Sequence, residues 1–267
     1  KGYTYNRPEY AYDATGKSIA LTSDSKSSGE LLITLDSLKD AVFPITIDPD
    51  SSFTTSSSDG YILRSGADNY NEVRTSATGT AYSTYDHLKV GQEGYHGDGH
   101  YYYHIYRSAL FFNTSSLPDN STITAAVLGL YGLGNYSYTD FDIVVQAGTS
   151  STYPHDPLVA ADYDYSKYTG DGGSINTSSF STSGYNNITF NETGRGWINK
   201  TGTTKLVLRS SKDIAGIAGV GDGYVIIGSY ERGAGYRPTL TVTYTSKPTV
   251  TNSTGASEIT DATAQLN

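Results

Sequence analysis

The stretch RSALFFNTSSLPDNSTITAAVLGLY, residues 107–131, decides the fold class of this chain. It holds two short apolar runs, Arg107–Phe112 and Ala125–Tyr131, on either side of a polar segment rich in Asn, Ser, Pro and Asp. Both runs are shorter than the roughly 10–12 residues that favour a helix, and the segment between them is a cluster of turn-forming residues. The stretch therefore predicts a strand, a loop and a second strand in an all-β protein.

The composition points to a protein of the cell exterior. The chain has 33 serines, 34 threonines and 25 tyrosines, but only 18 lysines and arginines together. Threonine and tyrosine favour strands, and a hydroxyl-rich, lysine-poor mixture suits an exposed β-sheet surface. We therefore expect an extracellular or cell-surface location. Because methionine is absent, we also expect that Lys1 is not the translated start and that the sequence is a processed product or a piece of a longer protein.

Charge and cysteine content exclude several classes of function. The net charge of −9 argues against a nucleic-acid partner, because such binding needs clustered lysine and arginine. The absence of cysteine excludes a disulfide framework and thiol chemistry. No apolar run approaches the ~18 residues that span a membrane, so no membrane span is expected in this sequence. No cofactor is predicted either.

Several motifs resemble one family of β domains. The strand led by Arg107 is followed by residues 112–118, FNTSSLP; residues 88–91 read LKVG, and residues 238–244 read PTLTVTY. This combination resembles the DNRLRE-type β-sandwich domain, a jelly-roll relative of carbohydrate-binding modules found in secreted and surface proteins. The resemblance covers residues 55–245 and implies an antiparallel, jelly-roll-like β-sandwich with an N-terminal β extension and a C-terminal strand segment.

Three segments are predicted along the chain. Residues 1–50 form an N-terminal β segment, the end of a preceding module, because residues 43–49, FPITIDP, resemble the segment that precedes DNRLRE-type modules. Residues 51–246 form the DNRLRE-type sandwich. Residues 247–267 resemble the start of a fibronectin type III-like module or serve as an exchanged strand. An incomplete module at each end leaves strands with unpaired backbone, which another chain would have to pair.

Two local features inside the sandwich are also predicted. Residues 191–200 indicate a helical turn with Thr193 at its start, because Thr is a common N-cap. The glycine-rich residues 216–223 lack the lysine of a phosphate-binding loop and indicate a hairpin turn.

N-glycosylation is the strongest chemical signal in the sequence. Composition alone predicts about three N-x-S/T sequons, but the chain holds eight. The excess predicts glycosylation of an exported protein, with each asparagine on an accessible surface; the alternative is composition bias without any modification. The predicted sites are Asn113, Asn120, Asn135, Asn176, Asn187, Asn191, Asn199 and Asn252.

Metal binding is weighed at two places and predicted at neither. Residues 94–104 hold three histidines, and His100 and His104 would converge on a helix. The glycines and tyrosines between them favour an extended segment instead, so an exposed hairpin turn is expected. The aspartates of residues 162–171 lack the spacing of an EF-hand, so no calcium site is predicted.

No catalytic constellation is found, and the chain is not predicted to be an enzyme. Asp162 and Asp164 are the kind of acid pair that serves glycoside hydrolysis, but carboxylates on so acidic a chain are usually solvated. The tyrosine run 101–103 could stack on sugars, with Tyr102 on one strand face and its neighbours on the other. The alternative for these rings is ordinary sheet surface or subunit packing.

Two functions follow from these expectations. The leading hypothesis is a non-catalytic, glycosylated subunit of an extracellular fibre or surface layer, whose partners are other copies of itself joined by exchanged strands. The alternative is a carbohydrate-binding or adhesion module of a larger surface protein, whose partner is a polysaccharide.

Overall fold

The computed structural model of the chain describes residues 10–12, 18–25, 31–35, 46–47, 50–219 and 221–245. The chain divides into two compact units. The larger unit comprises residues 53–117 and 125–241, and the smaller comprises residues from 1–52, 118–124 and 242–267. The predicted C-terminal module at 247–267, with Asn252, lies outside the described residues.

The smaller unit contains a four-stranded antiparallel sheet. Its strands are β1 (Tyr10–Tyr12), β2 (Ser18–Ser25), β3 (Leu31–Leu35) and β4 (Thr46–Ile47). They are arranged in the order β3-β2-β1-β4. Strands therefore form in the segment for which the sequence predicts an N-terminal β extension.

Strands also dominate the rest of the described chain. They are β5 (Asp50–Thr54), β6 (Gly60–Ala67), β7 (Thr80–Tyr82), β8 (His87–Gly97), β9 (His100–Asn113), β10 (Thr122–Ser137), β11 (Asp142–Gly148), β12 (Tyr168–Thr169), β13 (Ser174–Asn176), β14 (Tyr185–Thr189), β15 (Thr203–Ser210), β16 (Gly221–Gly228) and β17 (Thr239–Thr245). The described α-helices are short: α1 (Tyr70–Thr75), α2 (Glu192–Arg195) and α3 (Ser211–Ala215). Four 3-10 turns complete the described elements: Ala160–Tyr163, Tyr165–Lys167, Thr177–Ser179 and Tyr230–Arg232.

The strands of the larger unit pair in the order β12-β11-β15-β9-β8-β16-β10, with β6 on the other side of β9. Each pair in this series is antiparallel. One side of β9 is shared by two partners. β8 pairs with it from His100 to Tyr106, and β15 takes over from Ser108 to Asn113. β9 therefore lies at the centre of the unit.

The apolar run of β9 is continuous because both of its faces are covered. All residues from Ile105 to Phe112 are buried. On one face, Ile105, Ala109 and Phe111 belong to a hydrophobic cluster with residues of β6, α1 and the 3-10 segments that follow β11. The predicted strand at residues 107–112 is correct but too short, because polar and aromatic residues extend it back to His100.

The structure shows an all-β protein with a sandwich-like, antiparallel architecture, as the sequence predicts. Two local predictions were wrong. Helix α2 begins with Asn191 as its N-cap, whose side chain accepts a hydrogen bond from Gly194 N at 3.0 Å, and Thr193 lies inside the helix. The glycine-rich residues 216–223 do not form a simple hairpin turn, because they end α3, with Gly216 in the left-handed region, and begin β16.

No helix in the part of the chain that the structure describes is long and apolar enough to cross a membrane.

Candidate functional site

The candidate site is built on the hairpin of β8 and β9. Its two-residue turn is Asp98-Gly99, with φ angles of 50° and 81°. Two positive φ angles are typical of the Asp-Gly turn that matches the twist of paired strands. The register places Glu93 opposite His104, so their side chains lie on the same face of the sheet. The histidine-rich segment is thus a long hairpin with a short exposed turn.

On this face, three tyrosines and one glycine occupy directly opposite positions on four adjacent strands. Gly91 lies opposite Tyr106 on β9 and opposite Tyr224 on β16, and Tyr224 lies opposite Tyr136 on β10. Gly91 has a φ of 131°, and a Cβ there would lie 2.2 Å from the carbonyl oxygen of Gly223. Only glycine fits this position. Because no side chain separates them, the ring centroids of Tyr106 and Tyr224 lie 5.5 Å apart.

Two stacked tyrosine pairs present their rings at the surface. The rings of Tyr136 and Tyr224 lie 5.1 Å apart with an interplanar angle of 25°, and those of Tyr95 and Tyr102 lie 5.4 Å apart at 20°. Tyr136 is 48% exposed and Tyr95 is 44% exposed, while their partners are half-buried. These four residues are called the tyrosine surface below.

Polar and charged groups lie among the rings. The buried Tyr106 donates its hydroxyl proton to Glu93 Oε2 at 2.9 Å, and His104 Nδ1 lies 3.8 Å from the same oxygen. Lys89 Nζ lies 5.0 Å from the ring centroid of Tyr106 and 5.2 Å from that of Tyr224. The site therefore combines flat rings with a carboxylate, an imidazole and an ammonium group.

Burial and nearby carboxylates raise the pKa of two phenols at this site, those of Tyr106 and Tyr224. Burial, together with the charge of Glu93, raises the pKa of Tyr106 above its ordinary value. Burial also raises the pKa of Tyr224, and the charges of Glu93 and Asp222 add to the effect. The hydroxyls of Tyr106 and Tyr224 therefore stay protonated at neutral pH and can donate hydrogen bonds.

The opposite face of β9 carries a buried group of charges that supports the hairpin. Arg107 donates to both carboxylate oxygens of Asp213, each at 2.8 Å, and Arg209 Nε donates to Oδ2 at 2.9 Å. Arg107 also donates to the carbonyl oxygen of Tyr163. Burial raises the pKa of Asp213, but the two guanidinium groups outweigh burial and lower it to about 2. Arg107, Arg209 and Asp213 are called the arginine–aspartate cluster below.

The acid pair that the sequence offers for hydrolysis is occupied by structural contacts. Asp162 is buried and accepts hydrogen bonds from the backbone N–H groups of His155 and Val159, at 3.0 and 2.9 Å. Asp164 accepts from Ser166 N and Ser166 Oγ. Both carboxylates therefore fix the segment that covers the hydrophobic cluster.

Within the described ranges, no group of three or more His, Cys, Asp or Glu residues is placed to hold a metal ion.

The predicted glycosylation sites lie on the surface wherever the structure describes them. Seven sequon asparagines are exposed, whereas Asn186, which begins no sequon, is buried. In three sequons the asparagine Oδ1 accepts from the sequon hydroxyl: Ser115 Oγ to Asn113 at 2.7 Å, Ser137 Oγ to Asn135 at 2.7 Å, and Thr201 Oγ1 to Asn199 at 3.0 Å. The other four exposed sequon asparagines are Asn120, Asn176, Asn187 and Asn191.

The tyrosine run 101–103 alternates as predicted. Tyr102 stacks on Tyr95, while Tyr101 and Tyr103 lie together on the other face with their ring centroids 4.8 Å apart. The sequence did not reveal the contribution of Tyr136 and Tyr224, because they join the site only through pairing of distant strands. Around Tyr136, residues 135–138 read NYSY, and this alternation of tyrosine with polar residues is the one local signal that could have suggested a half-exposed strand.

A comparison of the sequence with protein-family models finds no match. A comparison with curated proteins likewise finds no relative.

Proposed function

We propose that this chain is a non-catalytic carbohydrate-binding module of an extracellular or cell-surface protein, and that the tyrosine surface is its binding site. The observation that carries this proposal is the stacked pair formed by the exposed Tyr136 and the half-buried Tyr224, next to the polar groups of Glu93 and Lys89. The resemblance to DNRLRE-type domains, with the jelly-roll order that it implies, supports the same proposal.

The physical argument rests on what a sugar offers to a protein. A pyranose ring has flat C–H faces that pack against aromatic rings, and hydroxyl groups at its rim that need hydrogen-bond partners. On the tyrosine surface the aromatic rings can pack against the C–H faces. Glu93, His104 and the phenol hydroxyls can form hydrogen bonds with the sugar hydroxyl groups. One stacked pair includes Tyr102, and the other contacts Tyr106 through Tyr224. Tyr102 and Tyr106 are four residues apart on β9, which corresponds to roughly 13 Å along an extended strand. A ligand with more than one sugar ring could contact both.

The test is binding of the purified chain to a panel of polysaccharides and soluble oligosaccharides, followed by titration calorimetry of the best ligand. The double variant Tyr136→Ala with Tyr224→Ala is expected to lose about tenfold or more in affinity. The matched control is Tyr185→Ala, because Tyr185 is 41% exposed but lies on β14, away from the tyrosine surface. An equal loss in the control, or no binding by the wild-type chain, would overturn the proposal.

A second candidate function is supported by the sequons. We also propose that the chain is N-glycosylated and serves as a structural subunit of a surface fibre or layer, formed with other copies of itself. The exposure of all seven described sequon asparagines supports the glycosylation, since the modification needs access to the side-chain amide. The segments that would be exchanged between copies lie largely outside the described residues.

Intact mass of the native protein, with negative-stain imaging of the same sample, tests the second candidate. A mass above 28.6 kDa in sugar-sized steps, together with filaments, is the expected result. A mass equal to that of the unmodified chain, together with single particles, would reject the second candidate and leave only the carbohydrate-binding module.

A further inference from the structure

Two carboxylates lie opposite each other at the edge of the tyrosine surface. Asp222 on β16 is the direct cross-strand neighbour of Glu93 on β8, and Asp222 is exposed. Residues opposite one another on paired strands share a face, and like charges in that position destabilise a sheet. Both charges act on the hydroxyl of Tyr224. The ring of Tyr224 is therefore flanked by two acidic groups at the surface.

The same rings already hold an ammonium group of the protein. Lys89 Nζ lies over the rings of both Tyr106 and Tyr224. Ring faces attract cations because the π electrons give them a negative potential. Lys89 supplies one positive charge beside the two carboxylates of Glu93 and Asp222. The region thus keeps an excess of negative charge around exposed aromatic faces, which favours a cationic ligand.

We propose that the ligand of the tyrosine surface is a polysaccharide that carries protonated primary amines, bound with its sugar rings on Tyr136 and Tyr224 and its ammonium groups near Glu93 and Asp222. This inference rests on the proposed carbohydrate-binding function and adds the ligand's charge class. Ammonium-to-carboxylate hydrogen bonds are charge-assisted, and the ring faces add a cation–π contribution. Glycans with uronic acids meet two like charges and are rejected.

The test compares oligosaccharides that differ only in charge. The probes are a glucosamine oligomer, its fully N-acetylated counterpart of equal length, and a uronic acid oligomer, measured at low salt and below the pKa of the amine. The wild-type chain is expected to bind the amine form about fivefold more tightly than the acetylated form. The uronic acid oligomer is expected to bind weakest. Added salt is expected to reduce the preference, because these charges are near the surface.

The variant that isolates the carboxylates is Glu93→Gln with Asp222→Asn. Glutamine keeps an acceptor for the Tyr106 hydroxyl, so the packing of the tyrosine rings is preserved while the charge is removed. The ratio of affinities for amine and acetylated oligomers is expected to fall towards one. The control Glu192→Gln removes an exposed charge from α2 and keeps the ratio of the wild type.

The outcomes separate the two proposals. If the acetylated and amine oligomers bind equally well to the wild-type chain, the charge selectivity is wrong and the carbohydrate-binding function stands. If the preference survives in the double variant, Glu93 and Asp222 do not produce it and the inference fails. If no oligosaccharide or polysaccharide binds, both proposals fail.

Discussion

The two faces of strand β9 use polar residues in opposite ways. Tyr106 and Arg107 are neighbours in the sequence, and their side chains lie on opposite sides of the sheet. On the side of Arg107, the charged groups of the arginine–aspartate cluster are buried and hydrogen-bonded to one another. On the side of Tyr106, Tyr95 and Tyr136 of the tyrosine surface are exposed, and the carboxylates of Glu93 and Asp222 belong to directly opposite residues.

This difference separates structural residues from candidate functional ones. A buried charge is tolerated when an opposite charge and hydrogen bonds surround it, and removal of one partner leaves the other uncompensated. Cross-strand aromatic pairs at the surface add only about 0.2–1 kcal/mol each, and like charges on directly opposite residues destabilise a sheet. If the tyrosine surface binds a glycan as proposed, these residues serve binding rather than stability.

The largest effect is expected from loss of the central carboxylate of the cluster. Asp213→Ala should lower the free energy of unfolding by about 3–5 kcal/mol, because Arg107 and Arg209 would remain buried without their acceptor. The control Asp222→Asn removes an exposed carboxylate and should change it by no more than about 0.5 kcal/mol. Denaturant unfolding of both variants measures the difference. Similar stabilities would show that the two faces are not distinct in the way described.

The next largest effect is expected at Gly91, whose lack of a side chain lets the rings of Tyr106 and Tyr224 approach each other. Gly91→Ala should destabilise by about 2–4 kcal/mol, because it combines an unfavourable φ with a Cβ 2.2 Å from the Gly223 carbonyl oxygen. Gly99→Ala is the matched control, since it has a φ of 81° but no atom within 4 Å of the added Cβ. It should cost about 1 kcal/mol. Equal thermal stabilities of the two variants would contradict this account.

A further effect, on the pH dependence of stability, is expected from Asp59, a buried carboxylate outside the arginine–aspartate cluster. Asp59 is buried and accepts a hydrogen bond from Tyr230 N at 3.1 Å. Burial raises its pKa from 3.8 to about 8, although the Tyr230 N–H opposes the rise. The folded state therefore holds a proton that the unfolded state has released, and stability from this group is lost as pH rises from about 4 through 8.

Asp59→Asn should remove this loss, so that between pH 4 and 8 the free energy of unfolding of the variant falls by at least about 1 kcal/mol less than that of the wild type. Asp213 has the opposite sign, because its lowered pKa gives stability that is present above pH 3.8 and lost as pH falls towards 2. Unfolding curves over both pH intervals check the two signs. If the free energies of unfolding of the wild type and Asp59→Asn change with pH in parallel, burial does not raise the pKa of Asp59.

The sequence predicts the fold class because its evidence is local. The run Arg107–Phe112 is short, apolar and bounded by turn formers, which is enough to predict a strand. The structure of its surroundings is not local. The partner of Arg107 in the cluster, Asp213, is 106 residues away in the chain, and no pattern near either residue indicates the pairing.

The candidate site shows the same limit. Alternation predicts that Tyr102 leaves the face shared by its neighbours, because a strand repeats every two residues. It does not predict that Tyr136 and Tyr224 stack, or that Gly91 leaves room between strands, because these depend on register. The helix cap was wrong for a related reason: Asn191 and Thr193 are both acceptable caps, and the backbone geometry selects Asn191.

The central claim is that the tyrosine surface binds a glycan while the arginine–aspartate cluster on the other side of β9 only supports it. An NMR titration of the chain with its best oligosaccharide tests this most directly, by following the tyrosine ring and arginine side-chain resonances together. The account predicts saturable shifts at Tyr95, Tyr102, Tyr136 and Tyr224, with Arg107 and Arg209 unchanged. Shifts confined to Tyr131, Tyr185 and Tyr236, or to the arginines, would contradict it.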